Sequence, residues 1–501
     1  MEGAGFRSLI IFLLLAILAF VAGSLASEDA QNALIPVSLI LGLFFLIYLG
    51  KNCWVLVFSV PPLLSAFNLG IFQNFPISFF ICGVVLIYMI ALSMMGYIKL
   101  KWQSHLPMDI ISAILVIYCL STWVRHPVTI KAFTSITDYG YAEIGGREYF
   151  WCIGAVFSYL GVSVVNLKLE TLIKMLKWVF LLSFGVAFFN TLKGLFIGGY
   201  HIGNEVATTR FGMFVGVSLQ VFQYLLARYP LSNILFSPWK LSMVVFSTAG
   251  LLVAGFRTTI ITSSLYALVA AFFQRQLVIL LLLGMAVWGA LVYLSHEEML
   301  EDLPHGIKRA LTLVPGVEIK DKAIIKGAEH SSEWRLEMWK WALNPSKGYI
   351  KDYVWGDGFG MSEYREHLRR VSQGLGLVKS GDNTLYAARG VWHNAAITVL
   401  QEMGGVGLGL AVVWFLIVLT CFSRIGLALK HTPGKEFIYM QLIPIYSIFI
   451  TFFFLVGGTI DIFASYYHAA IGKLVYVKLV QENKLTSLFV RKEYRPLIMQ
   501  E

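Results

Sequence analysis

The residues of this chain best suited to chemistry are His393-Asn394 and three arginines, Arg210, Arg257 and Arg335. A histidine titrates near neutral pH, so it can take a proton from a hydroxyl as a new bond forms. The arginine fork matches phosphate oxygens two at a time. All four sites lie next to apolar sequence. Arg257 stands in Gly255-Phe256-Arg257-Thr258-Thr259, between two apolar segments with almost no connector. A cation at that depth needs a cavity or a partner. Arg210 closes the connector 199–210. Arg335 lies in a tryptophan-rich stretch, and Trp339 follows it at i+4. Glu402 comes two turns into the segment after Asn394, about 12 Å deep at ~1.5 Å per residue. Each residue also has a plainer role. Arg257 can snorkel from a helix end, and Arg335 can be a solvated interfacial charge. His393 can be packed at the interface, and Asn394 can cap the next helix.

These residues need elements to position them, and those elements are apolar helices. The hydrophobic fraction is 57% and only 14% of residues are charged, against about a quarter in soluble domains. Mean hydropathy is +0.72. Apolar runs able to cross a ~30 Å hydrocarbon core recur along the chain. They are continuous rather than alternating, which excludes a β-barrel. The expected spans are 8–22, 33–49, 53–67, 76–98, 108–124, 150–166, 172–190, 211–227, 241–256, 258–273, 277–294, 396–422, 437–456 and 459–478. Pro61-Pro62 interrupts the third, so 12–14 transmembrane helices are expected. The fold class is an all-α polytopic membrane protein with one large, partly helical outer loop. Residues 1–294 form the N-terminal bundle, 295–394 the loop, and 395–501 the C-terminal helices and tail.

Basic residues give the orientation. Alternate connectors carry Lys51, Lys99 and Lys101, Lys168 to Lys177, Arg228 and Lys240, Arg275, and Arg424 to Lys435. Those connectors and both termini are expected to be cytoplasmic, with the large loop on the far side. From His296 to Asn394 basic and acidic residues balance, fourteen of each, so the net charge of +10 belongs to the membrane part. That basicity is orientation, and it implies no nucleic-acid partner. Residues 1–30 read as an uncleaved first helix, although Gly23–Ser27 also resembles the end of a signal peptide. All five cysteines fall in apolar spans, which argues against disulfides and zinc clusters.

Within the loop, Ser331-Ser332 are expected to cap a helix over 333–343 that stops at Asn344-Pro345. Its aromatic face suits a bilayer interface. Ser362 is expected to cap a second short helix, 363–371. The glycines at 404, 405, 407 and 409 read as close helix packing.

Four motifs now stand in order: Gly-Phe-Arg-Thr-Thr (255–259), Ser-Ser-Glu-Trp-Arg-Leu-Glu-Met-Trp-Lys-Trp-Ala-Leu (331–343), Gly-Asp-Gly-Phe-Gly (356–360), and His-Asn followed by Leu-Gln-Glu-Met-Gly-Gly-Val-Gly (400–407). Together they resemble the O-antigen ligase and polysaccharide polymerase superfamily of bacterial envelopes, over about 240–420. The family often has Ser-Arg where this chain has Phe256-Arg257. The resemblance implies inverting glycosyl transfer in the inner membrane without metal or other cofactor, the large loop being periplasmic. The donor would be a glycan on undecaprenyl pyrophosphate. The acceptor would be the terminal sugar of another lipid-linked repeat (a polymerase) or lipid A–core (a ligase), and polysaccharide assembly proteins would be further partners. His393 would then be the base, and Arg257 and Arg335 would hold the pyrophosphate, with Arg210 as a third contact. Asn394, Trp339 and Glu402 would orient the histidine or line the site. The long loop and the span count favour the polymerase. A transporter or flippase would instead show charges lining a path through several spans, and the expected spans are charge-poor. A purely structural membrane protein would need neither Arg335 nor His393.

The basic asymmetry makes the loop extracytoplasmic. A lone cysteine at Ser380, with the native cysteines removed, should react with an impermeant thiol reagent in intact spheroplasts. Labelling only after lysis would invert the orientation.

Overall fold

The computed structural model describes residues 42, 44–66, 77–127, 147–197, 213–255, 257–347, 349–359, 392, 394–429, 432–454 and 462–485. All regular structure among them is helical. In chain order the helices are α1 (Trp54–Ala66), α2 (Ile77–Met94), α3 (Leu106–Arg125), α4 (Arg147–Ser163), α5 (Leu169–Ile197), α6 (Phe214–Arg228), α7 (Leu231–Leu235) and α8 (Pro238–Val253). Then come α9 (Arg257–Phe273), α10 (Leu277–His296), α11 (His305–Leu311), α12 (Lys322–Ala342), α13 (Ala395–Ala428), α14 (Lys435–Phe454) and α15 (Ala464–Gln481). Four stretches are long and apolar enough to cross a membrane, Leu106–Arg125, Leu169–Leu192, Leu277–His296 and Ala395–Ala428. Ser78–Met94, Tyr149–Ser163, Pro238–Val253 and Thr259–Phe273 are shorter apolar helices. Helix is the natural form for such sequence, because it satisfies its own backbone where water is absent.

Two expectations about helix limits change. Pro61-Pro62 does not interrupt its segment; α1 runs through both prolines to Ala66. The helix carrying Arg335 begins at Lys322 rather than Glu333. Its cap is Asp321, whose carboxylate accepts from the Ala323 and Ile324 amides at 3.0 and 3.3 Å. Ser331 and Ser332 lie inside it, where serine costs little. Its end at Ala342 is followed by a 3-10 turn over Pro345–Lys347, as the Asn-Pro pair requires. The expected helix 363–371 and the span 8–22 lie outside the described residues.

α15 is the centre. It packs on α4, α13 and α14, and α13 packs in turn on α3. Nearly every α15 side chain is buried. α6 forms a second focus with α8, α9 and α14. Aromatic rings fill the central layer. Trp414 stacks on Tyr466 at 4.9 Å, and both bond Ser112, the indole to its hydroxyl at 2.9 Å and the phenol to its carbonyl at 3.1 Å. Tyr467 donates to Phe58 O at 2.7 Å. All five cysteines are buried and free. Outside, α2, α3 and α10 present apolar side chains such as Ile87, Ile117 and Leu281, each about two-thirds exposed. Water would disfavour such a belt, and lipid would not.

The helices are less charge-poor than expected, because one ion pair is buried among them. Lys473 of α15 is fully buried, and its Nζ lies 2.7 Å from Asp109 Oδ1. Asp109 also accepts from the Tyr159 hydroxyl at 2.7 Å, Ser104 Oγ at 3.1 Å, and the Trp102 indole and His105 amide at 3.2 Å each. The ammonium sits over the Tyr159 and Trp102 rings, 4.1 and 4.5 Å from their centroids. Nearby, Lys478 Nζ donates to Asn166 Oδ1 at 2.7 Å, and Arg228 pairs with Glu436. The lysine bonds tie α3, α4 and α15 together, and the Arg228–Glu436 pair ties α6 to α14, at the bundle end that also holds Lys101 and Lys168.

Removing one buried partner strands the other charge, at a cost of roughly 3–5 kcal/mol. Lys473→Met should therefore lower unfolding stability in mixed micelles by about that much. Lys473→Met with Asp109→Asn should recover most of the loss. Equal stability of the single variant and the parent would make the pair energetically idle.

Candidate functional site

The candidate site is built around a break in α13. At Gly404 the backbone takes φ 67° and ψ −174°, which is not helical. That frees carbonyls before the break and amides after it, and the segment Tyr353–Gly358 takes them up. Gln401 O accepts from the Asp357 amide at 2.7 Å and Glu402 O from the Gly358 amide at 3.0 Å. Beyond the break, the Gly405 and Val406 amides donate to Tyr353 O and Val354 O at 2.8 and 3.2 Å. Two motifs, Gly-Asp-Gly-Phe and Glu-Met-Gly-Gly, are therefore one interlocked structure.

Each residue type in the clasp has a local reason. Gly356 has φ 83°, and a Cβ there would lie 2.5 Å from Glu402 O. The Asp357 carboxylate accepts from the Lys351 and Asp352 amides at 2.9–3.2 Å. Asp352 in turn accepts from the Val354 and Trp355 amides, both at 2.9 Å. Phe359 is buried, edge-on to Tyr149 at 5.0 Å. The Tyr118 hydroxyl donates to Met403 O at 2.8 Å. Arg125, at the end of α3, aims both Nη atoms at Trp355 O, 3.2 Å each. Tyr353 donates to Ala342 O at 2.9 Å. Its burial, with Asp357 beside it, pushes the phenol pKa up, so this donor keeps its proton. The expectation that these glycines only pack helices holds for Gly407, which lies against Tyr118, and fails for Gly404, which is the break.

A second network holds α12 to the start of α13. Trp339 Nε1 donates to Trp392 O at 2.8 Å. Trp392 is fully buried, and its indole donates to Gln401 Oε1 at 2.8 Å. Gln401 Nε2 donates to Tyr349 O at 3.1 Å. The Tyr349 ring meets Trp392 edge-on at 5.8 Å. Asn394 caps α13, accepting from the Ile397 amide at 3.1 Å. Arg335 is half-buried one turn before Trp339 on α12.

Of the residues singled out by sequence, Trp339 therefore meets Trp392, Asn394 caps α13 two residues on, and Arg335 lies one turn before Trp339 on α12. Glu402 is the residue whose carbonyl the clasp seizes, just before the break. His393, Arg210 and the Arg257 side chain lie outside the described residues. The Arg257 backbone opens α9, and the turn before it is covered by α11, where Gly306 lies against Val253 O and Gly255. α11 also packs on α12, so the elements carrying Arg257 and Arg335 share a neighbour. Among the described residues no group of three or more His, Cys, Asp or Glu side chains could hold a metal ion.

Sequence reasoning missed Gln401, Arg125 and Tyr118, which carry no local signal because their partners are distant in sequence. Lys473 did carry one, a lone cation inside an apolar helix.

The fold and its apolar helices define a class, an α-helical membrane protein whose longest helix is broken and clasped by a polar segment. No protein-family model matches the sequence, and no curated protein matches it either.

Because Gly404 needs a left-handed backbone and sits against Val354, Gly404→Ala should release the clasp. Hydrogen exchange should then show the amides of Asp357, Gly358 and Gly405 losing at least tenfold in protection, while α15 keeps its own. Unchanged protection would remove the clasp from the account.

Proposed function

We propose that this chain is an inverting membrane glycosyltransferase. In this reading it carries 12–14 spans in a bacterial inner membrane, with the 295–394 loop in the periplasm. It moves a glycan from undecaprenyl pyrophosphate to a sugar hydroxyl, the acceptor being a growing lipid-linked glycan; the alternative is a ligase whose acceptor is lipid A–core. The observation that carries the reading is the Trp339–Trp392 hydrogen bond. It holds the Arg335 helix against Trp392, the residue before His393 in sequence, which supports a site shared by a phosphate-binding cation and a base. The ordered motifs of the sequence support the same chemistry.

The acceptor oxygen attacks the anomeric carbon on the face opposite the pyrophosphate. Its proton passes to the His393 imidazole. The anomeric C–O bond breaks, and both electrons leave with undecaprenyl pyrophosphate. Arg257 and Arg335, with Arg210, neutralise the departing charge. Asn394, Trp339 and Glu402 orient the groups around the histidine. Positive side chains do the work that a divalent cation would otherwise do.

The buried Asp109–Lys473 pair is the one observation that favours a transporter of lipid-linked glycan instead. It lies at the end of the bundle away from the clasp, and five donors saturate its carboxylate.

Reconstituted protein given undecaprenyl-pyrophosphate glycan and an acceptor should form product in excess EDTA. His393→Ala should lower turnover by roughly 10²–10⁴-fold, at normal protein abundance. Arg335→Lys should also be damaging, since lysine keeps the charge and loses the fork. Parental turnover in His393→Ala, or product only after Mg²⁺ addition, would overturn the mechanism. Donor crossing the bilayer without transfer would favour the transporter.

A further inference from the structure

At the bundle end opposite the clasp, a cavity of about 240 Å³ opens between the start of α3, the second half of α13 and α15. It is larger than the roughly 150 Å³ pocket that takes up a benzene. Toward the middle of α13 its lining is Val413, Leu416 and Ile417; toward the bundle end it is Thr420 and Arg424, with the buried His105 and Tyr476 contributed by the start of α3 and by α15. Val413, Leu416 and Thr420 are exposed on one stripe of α13, so the cavity is a groove open along the outside of the bundle. From Val413 to Arg424 it follows α13 for roughly 16 Å at ~1.5 Å per residue. That is about half of a ~30 Å hydrocarbon core, or one leaflet.

Polarity changes along this length. The part along Val413, Leu416 and Ile417 is aliphatic. The bundle end carries a half-buried guanidinium turned toward the buried Tyr476, with Nη1 donating to its hydroxyl at 2.8 Å. Among the described residues no carboxylate pairs with Arg424. One hydrogen bond leaves most of its five N–H donors for an anion. Lys101 and Lys168 lie at the same end of the bundle, where basic residues draw anionic lipid. A snorkelling arginine would instead extend away from the apolar wall into water.

We infer that this groove binds one anionic phospholipid of the adjoining leaflet. Its phosphate sits at Arg424 and one acyl chain lies along Ile417, Leu416 and Val413. The site is separate from the clasp, and it does not rest on the glycosyltransferase reading. Apolar walls alone would accept any acyl chain; the inward cation selects the anionic headgroup.

The test is native mass spectrometry of the full chain, released from neutral detergent and titrated with phosphatidylglycerol or phosphatidylcholine. The parent should hold one phosphatidylglycerol at least tenfold more tightly than phosphatidylcholine. Arg424→Gln should reduce phosphatidylglycerol to the phosphatidylcholine level. Leu416→Trp, which fills the groove from an exposed position, should lose both lipids. Glycerol 3-phosphate, a headgroup without a chain, should displace neither. Thermal melting near the parental temperature will show that each variant is folded, and if Arg424→Gln is not, Leu416→Trp decides alone. Equal affinity for the two lipids, unchanged phosphatidylglycerol binding in the folded variants, or displacement by glycerol 3-phosphate would each overturn the assignment.

Discussion

A helix broken inside apolar surroundings must have its freed backbone groups hydrogen-bonded by protein. Each unsatisfied group in hydrocarbon costs several kcal/mol. The break in α13 at Gly404 meets this condition through Tyr353–Gly358, which returns both to the carbonyls before the break and to the amides after it. Everything at this end of the molecule follows. The returning segment has to be tight, so it contains two glycines and two aspartate-capped turns. It has to be anchored, so Phe359 enters the core beside Tyr149, and Arg125 and Tyr118 hold it from α3.

The clasp also orders the chain around the proposed site. Gln401 has a double role. Its backbone carbonyl accepts from the clasp, and its side chain bridges Trp392 and Tyr349. The residues flanking His393 are thereby fixed from one side by α12 and from the other by the capped start of α13. In the proposed transferase a base and a cation acting together within about 0.5 Å of productive geometry would need such rigid supports. Loop residues tethered only by sequence would not supply them. The opposite end of the bundle obeys another rule. There the buried Lys473 and Asp109 satisfy each other, while Arg424 has no described acidic partner and faces a groove. Together they separate a structural charge from one available to a ligand.

The helical class was legible from apolar segment length alone, and the clean fall of α1–α6, α8–α10 and α13–α15 on apolar runs shows why. A helix closes its hydrogen bonds within its own segment, so local sequence suffices. Asn394 as a cap was legible for the same reason, since the cap and the amide that donates to it are three residues apart. The cap of α12 was misplaced because serines and an aspartate are all competent caps, and the choice between them depends on where the preceding turn of chain can go. The proline pair in α1 was misread because the carbonyls it leaves without amide donors, Val57 O and Phe58 O, are taken up by Cys82 Sγ at 3.9 Å and the Tyr467 hydroxyl at 2.7 Å from distant helices.

What the sequence by itself determined is the set of apolar helices, the balance of charge along the chain, and the order of its polar motifs. It could not show that Gly356-Asp357-Gly358 and Gly404 are two halves of one joint, or that Trp339 reaches Trp392 across 53 residues. Nor could it pair Asp109 with Lys473, which are 364 positions apart. These decisions belong to tertiary structure, because a hydrogen bond between distant segments depends on which helices become neighbours. That neighbourhood is set by packing over the whole bundle, on which no single segment carries the information.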